Sequence, residues 1–291
     1  MTAREPLGSV VIPAFDEAGV IGRTLNALFT GIEPGELDVV VVCNGCADDT
    51  ARVARASGHP IRVLELQRAS KPAALRSGDA AARGFPRLYL DADVLLPGSA
   101  ARLVLGRLRS GALAARPPVR FETTDSSAPV RRYYRARSRV PAVLGSLWGA
   151  GVYGLSEAGR SRFGAFPDVV GDDLWVDRLF SDDEVEIVET APVVVPVPRR
   201  SSDLMRVLAR AHRGKRETAF APDLRYRAPE TVASTLRDLG RVGLGGPAAA
   251  LDAATYAAFS AGARLALALP HRSGASLDGE RWERDHSSRA G

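Results

Sequence analysis

Four short, continuously apolar runs alternate with helix-like runs over the first hundred residues, and this alternation limits the fold more than any other feature. Val10-Val11-Ile12, Val39-Val40-Val41-Val42, Ile61 to Leu66 and Leu88-Tyr89-Leu90 read as strands. Ala18 to Thr30, Asp48 to Ser57 and Lys71 to Ala82 read as the helices between them. A strand that is apolar at successive positions is covered on both faces, and helices between such strands are the crossovers of a parallel sheet. Ligands of these sheets bind beyond the carboxyl ends of the strands. The loops that matter are then Pro13 to Glu17, Asn44 to Thr50 and Asp91-Ala92-Asp93.

The pattern loosens after Leu113. Arg116 to Pro129 reads as a strand leading into a loop, Val130 to Leu144 as a basic helix and Trp148 to Leu155 as a Gly-rich strand. Gly171 to Phe180 opens a further helix, Glu184 to Val197 is a late strand, and Ser202 to Ala219 is a strongly basic helix or lid. No repeat or linker cuts the chain cleanly. The expected architecture is α/β: one large domain over 1–220, with a nucleotide-binding half (1–113) and an acceptor half (114–220), followed by a helical extension and tail (221–291).

Composition excludes several classes. The 291 residues are 45% hydrophobic and 25% charged, ordinary for a folded globular chain. A net charge of +5 is too mild for a nucleic-acid partner. Two cysteines make no disulfide framework, and no apolar leader precedes the first strand, so a cytoplasmic location is expected. The most apolar long stretch, Pro247 to Pro270, is interrupted by Asp252 and Arg264. It is expected as a packing helix, with contact to a membrane surface or a second copy of the chain as the alternative.

The strand-end loops hold the candidate chemistry, each beside a plainer reading. Asp91 and Asp93 follow the fourth strand, where two carboxylates can converge on Mg²⁺ or Mn²⁺; otherwise they form a solvated turn. Pro13-Ala14-Phe15-Asp16-Glu17 places acids at a helix start, where the dipole favours them. It lacks the Gly-x-Gly-x-x-Gly of dinucleotide-binding enzymes. Asn44 has an amide suited to a base edge, while Asp48 caps the next helix. Cys43-x-x-Cys46 has the setting of a thioredoxin-like motif, but it is a weak redox signal here, and one pair cannot fill a zinc site. Lys71 is one of only two lysines in a chain that otherwise uses arginine. Asp172 and Asp173 stand at a helix start as caps or as a general base. Arg206, Arg210 and Arg213 share one helix face that suits a diphosphate or anionic lipid, and His212 beside them is a metal-ligand candidate.

Taken together, Pro13 to Glu17, Asn44 to Thr50, Lys71, Asp91-Ala92-Asp93, Gly149-Ala150-Gly151 and Gly171-Asp172-Asp173 resemble the family 2 glycosyltransferases of the GT-A (Rossmann-like) fold. The resemblance runs from about Ser9 to Lys215. It implies an inverting hexosyltransferase that uses a nucleotide-diphosphate sugar and Mg²⁺ or Mn²⁺. Asp93 would be the main metal ligand, with Asp91 near the ribose or metal and His212 as a further ligand. Pro13, Ala14, Phe15, Glu17, Asn44, Lys71 and Ala92 would line the nucleotide, and Arg210 and Arg213 would face the diphosphate. Asp173 would be the catalytic carboxylate and Asp172 its alternate. The family's usual Asp in the second strand-end loop is Asn44 here, so uridine is the default base without excluding guanosine. No Trp follows Arg213, unlike in polymerising relatives, which points to non-processive transfer. The acceptor is a hydroxyl on a carbohydrate, a lipid-linked carrier or a small molecule. A nucleotidyltransferase and a non-catalytic nucleotide-sugar-binding protein are the competing readings. The first strand's acidic loop argues against the former.

Overall fold

The computed structural model describes residues 5–169, 171–219 and 231–268. In chain order the elements are β1 (Gly8–Ala14), α1 (Ile21–Phe29), β2 (Leu37–Asn44), α2 (Thr50–Arg55), β3 (Ile61–Leu66), α3 (Lys71–Ala81), β4 (Arg87–Leu90) and α4 (Gly98–Arg109). There follow β5 (Ala114–Arg116), β6 (Val119–Glu122), α5 (Ala128–Arg137), α6 (Pro141–Leu144), β7 (Val152–Leu155), α7 (Glu157–Arg160) and α8 (Asp172–Asp177). The last are β8 (Val185–Ile187), β9 (Val193–Pro196), α9 (Ser201–Ala219), α10 (Val232–Gly243) and α11 (Pro247–Ala268).

The described chain divides into two compact units, 5–120 with 145–195, and 121–144 with 196–219 and 231–268. The first unit is built on a seven-stranded sheet of order β3-β2-β1-β4-β7-β5-β8. Pairing is parallel except at β7, which runs antiparallel to both β4 and β5. The expected mostly parallel α/β sheet is present. Its strands read as continuous apolar runs because both faces are covered. Val10, Ile12, Val39 and Val41 pack with Leu25 and Leu28 of α1 on one face. Val11, Tyr89 and Tyr153 pack with Leu75 and Phe166 on the other. Each fully buried aliphatic side chain contributes ~1.5–3 kcal/mol before conformational entropy is counted. A separate two-stranded sheet pairs β6 with β9.

Three segments depart from the sequence reading. The basic helix expected over 130–144 is two helices, α5 and α6, because Pro141 has no N–H to continue the ladder. The strand expected over 184–197 is split into β8 and β9, with bends at Glu189, Thr190 and Ala191 and Pro192 before β9. Helix α4, absent from that reading, is driven by Ala101, Val104, Leu105 and Leu108, which are buried at helical spacing despite Gly98 and Gly106.

The second unit is helical apart from its strand ends. Tyr133 of α5 stacks on Tyr256 of α11 at 4.7 Å between centroids and meets the Phe259 ring edge-on. Asp252, which interrupts the apolar stretch, is buried and takes a two-pronged bond from Arg135 at 2.9 and 2.7 Å. The described part of the Pro247 to Pro270 stretch therefore has one packed face, with Leu251 and Leu265 exposed. No described helix is long and apolar enough to cross a membrane.

Candidate active site

The first unit gathers its charged groups beyond the carboxyl ends of β1 and β4. Pro13, Lys71, Asp91, Tyr153, Asp172 and Asp173 line one cleft there. Asp91 follows β4 directly, and its N–H donates to the Gly151 carbonyl at 2.8 Å. Gly151 lies at φ +68°, where a Cβ would fall 2.6 Å from Val94 Cγ1 and 3.5 Å from an Asp91 carboxylate oxygen. Only glycine fits that approach. Lys71 opens α3, with Ser70 Oγ accepting the Ala73 N–H at 3.3 Å as the cap. Its ammonium is 2.8 Å from Asp91 Oδ1 and 2.8 Å from Asp172 Oδ1. Tyr153 donates its hydroxyl to Asp172 Oδ2 at 3.0 Å, which leaves Asp172 buried and engaged on both oxygens. Asp173 is half-buried, and its carboxylate accepts the Gly149 and Leu174 N–H groups at 2.8 Å each.

Asp91, Asp172 and Asp173 all act on the one Lys71 ammonium. Burial works against the Lys71 ammonium, but Asp172, Asp91 and Asp173 outweigh it and hold the pKa above the ordinary lysine value. Burial raises Asp91, and the carboxylates of Asp93 and Asp172 add to that rise; Lys71 opposes it without cancelling it. Burial, helped by Asp172, also pushes the Tyr153 hydroxyl up, so it stays a proton donor. Crowded carboxylates with only oxygen donors suit a hard divalent cation, which takes few protein ligands and completes its shell with water or phosphate oxygens. The donor chemistry fits such an ion, which Asp91 and Asp93 would hold.

Other sequence candidates have different surroundings. Asn44 is fully buried, its Nδ2 donating to the Ala14 carbonyl at 2.8 Å and its Oδ1 accepting the Ser70 N–H at 2.9 Å. Its amide ties β1 to the start of α3. Ala14 and Ala92 are buried, and each contributes its carbonyl as an acceptor, to Asn44 and to Thr24 respectively. Glu17 is buried, with its N–H on Thr50 Oγ1 at 2.7 Å; Phe15 and Asp93 are half-buried. Arg210, His212 and Arg213 are carried by α9 of the second unit.

The sequence reading assigned no role to two contributors. Tyr153 meets Asp172, itself a sequence candidate, because β7 inserts beside β4. A Tyr two residues after a Gly-Ala-Gly turn was the available signal. Asp16 is the second: at φ +49°, it accepts the Ala47 and Asp48 N–H groups at 2.5 and 3.2 Å. Among the described residues, Asp16, Cys46 and Asp48 have ligand atoms within 4.8 Å of one another. Loop donors already engage them, including Ala18 N–H on Asp48 at 3.1 Å, so the trio braces the loops of β1 and β2.

The sequence model of the glycosyl transferase family 2 matches residues 9–154, half of the chain and most of the strands around this cleft. The chain belongs to that family. It is a glycosyltransferase, and its sheet is the mostly parallel α/β sheet of the GT-A type. A similar solved structure is the mannosyltransferase PcManGT from Pyrobaculum calidifontis in complex with GDP-Man and Mn²⁺. It is 19% identical with a TM-score of 0.65, over 90% of this chain and 87% of that one. Another is glucosyl-3-phosphoglycerate synthase from Mycobacterium tuberculosis with Mn²⁺, UDP and glucosyl-3-phosphoglycerate. It is 22% identical with a TM-score of 0.50, over 74% and 80% of the two chains. At these identities the likeness is one of fold. No curated protein matches the chain by sequence.

Proposed function

We propose that this family 2 glycosyltransferase moves a single hexosyl unit from a nucleoside-diphosphate sugar to an acceptor hydroxyl by direct displacement, with inversion at the anomeric carbon and without processive polymerisation. The observation that carries the reading is the Lys71 ammonium shared between Asp91 and Asp172 at 2.8 Å each, with Asp173 alongside in the same cleft. Asp173 is the base. Two backbone N–H donors orient it, and it is less buried than Asp172. It accepts the proton of the attacking hydroxyl. Asp172 is a positioning residue, held by Tyr153 and Lys71. Lys71 also places positive charge where the diphosphate leaves. Asp93 and Asp91 would hold a Mg²⁺ or Mn²⁺ ion, which when bound would supply Lewis-acid neutralisation of that leaving group. Both similar structures were solved with Mn²⁺, one with GDP-Man and one with UDP, so both bases are reasonable donors to try, with UDP-sugars first.

The test is incubation with UDP- and GDP-sugars, Mn²⁺ and a panel of hydroxyl acceptors. Release of nucleoside diphosphate together with a glycosylated product of inverted configuration supports the reading. Pyrophosphate release from a nucleoside triphosphate, or donor binding with no release, overturns it.

A further inference from the structure

The chain's two thiols lie outside the transfer chemistry. Cys43 is the penultimate residue of β2 and is buried, while Cys46 follows the Asn44-Gly45 turn and is half-buried. Both are free, and their side chains hydrogen-bond to each other. The Cys46 sulfur accepts the Asp16 N–H at 3.4 Å, and its S–H donates to the carbonyl of Ala14, the strand partner of Cys43, at 3.5 Å. Gly45 makes the meeting feasible. At φ +66° it turns the chain where a Cβ would strike the Ala69 backbone nitrogen at 2.4 Å. The hydrogen bond from Cys43 brings the Cys46 thiol down to about 7 despite burial. The same bond, with burial, pushes Cys43 up. A lowered thiol pKa favours the thiolate, the nucleophilic form.

We propose that Cys43 and Cys46 form a reversible dithiol–disulfide couple, with the more exposed Cys46 as the attacking sulfur and Cys43 as the resolving one. The Cys46 thiolate attacks a small-molecule disulfide, forms a mixed disulfide and expels one thiolate. Cys43 then loses its proton to solvent and attacks the Cys46 sulfur, expelling the second thiolate. Two protein thiols are oxidised, and the small disulfide is reduced to two thiols. Closure takes the Cys46 sulfur from the Asp16 N–H. Asp16 sits in a left-handed conformation that its surroundings maintain. Oxidation thus loosens the braced loops of β1 and β2, next to Pro13 at the cleft.

The full chain is reduced, exposed to glutathione disulfide, quenched with acid and weighed intact. The expected product has lost two hydrogens, retains no adduct and regains both with dithiothreitol. Cys43→Ser is expected to stop at a stable adduct on Cys46, and Cys46→Ser to react at least about tenfold more slowly. Should either variant fail to fold, iodoacetamide labelling of the parent chain decides. Cys46 is expected to label first, with a rate that climbs as pH rises through about 7. Two thiols that stay free, an adduct that persists in the parent chain, or Cys43 labelling first would overturn the couple. The melting shift given by UDP with Mn²⁺ is expected to fall on oxidation and return on reduction. A reduced protein without any such shift would count against the donor-site reading, while the mass result judges the couple by itself.

Discussion

Two sets of carboxylates at neighbouring strand ends meet opposite fates. Beyond β1 and β2, Asp16 and Asp48 are surrounded by N–H donors from Ala47, Asp48, Ala18 and Thr50. Beyond β4 and at the start of α8, Asp91 and Asp172 share one ammonium, with Asp93 and Asp173 nearby. Acids of the first kind shape loops, because backbone donors satisfy them in place. Acids of the second kind are crowded against their own sign, which folding alone would not favour. Crowding of this sort, in a cleft, points to chemistry directed at something from outside the chain.

The contrast can be broken by substitution. The largest effect is expected at Asp173→Asn: turnover falls ~100-fold or more, while the melting shift given by a nucleoside diphosphate persists. Unchanged turnover in a steady-state assay would remove Asp173 from the reaction. Lys71→Ala leaves Asp172 buried without its cation, and urea unfolding is expected to show a loss of about 3 kcal/mol. Added Mn²⁺ should recover more stability in that variant than in the parent. Asn44→Ala, in the loop-building set, should cost about 2 kcal/mol by the same measurement through two buried hydrogen bonds, and leave the preference between UDP and GDP unchanged. A shifted base preference would return Asn44 to the nucleotide pocket.

The smallest effect concerns acid stability. Asp79 accepts bonds from Tyr89, Arg87 and Arg160. Burial acts to raise its pKa, but these partners prevail and hold it below the usual carboxylate value. A depressed native pKa gives stability that is fully present above the unfolded value of ~3.9 and is lost as pH falls through the native one. In Asp79→Asn, the loss on acidification monitored by circular dichroism should be smaller by about 1 kcal/mol. An unaltered acid limb would show that the load lies on other acids, such as Asp38.

The sheet was legible because β1 and β2 are apolar at nearly every position, a pattern that demands cover on both faces. Lys71 was legible through composition, since a chain so sparing of lysine uses one at a helix start. The partner of Lys71 was not, because Asp172 reaches it from another part of the chain through the antiparallel insertion of β7, and antiparallel order leaves no mark in a buried four-residue strand. The bonds of Asn44 were hidden for a related reason. An amide at a strand end looks the same in sequence whether it faces a ligand or the neighbouring strand. Its partners here, Ala14 at the end of β1 and Ser70 before α3, come from other parts of the chain.

A single ammonium tethers the end of β4 to the start of α8. On the proposed reading, an arriving diphosphate competes for that tether, so Asp172 is relaxed at the moment the cleft fills. By reciprocity, if the bound diphosphate favours release of Asp172 from Lys71, that release favours the bound diphosphate by the same factor. Loading and readiness would then be two faces of one equilibrium, balanced on the tip of one side chain.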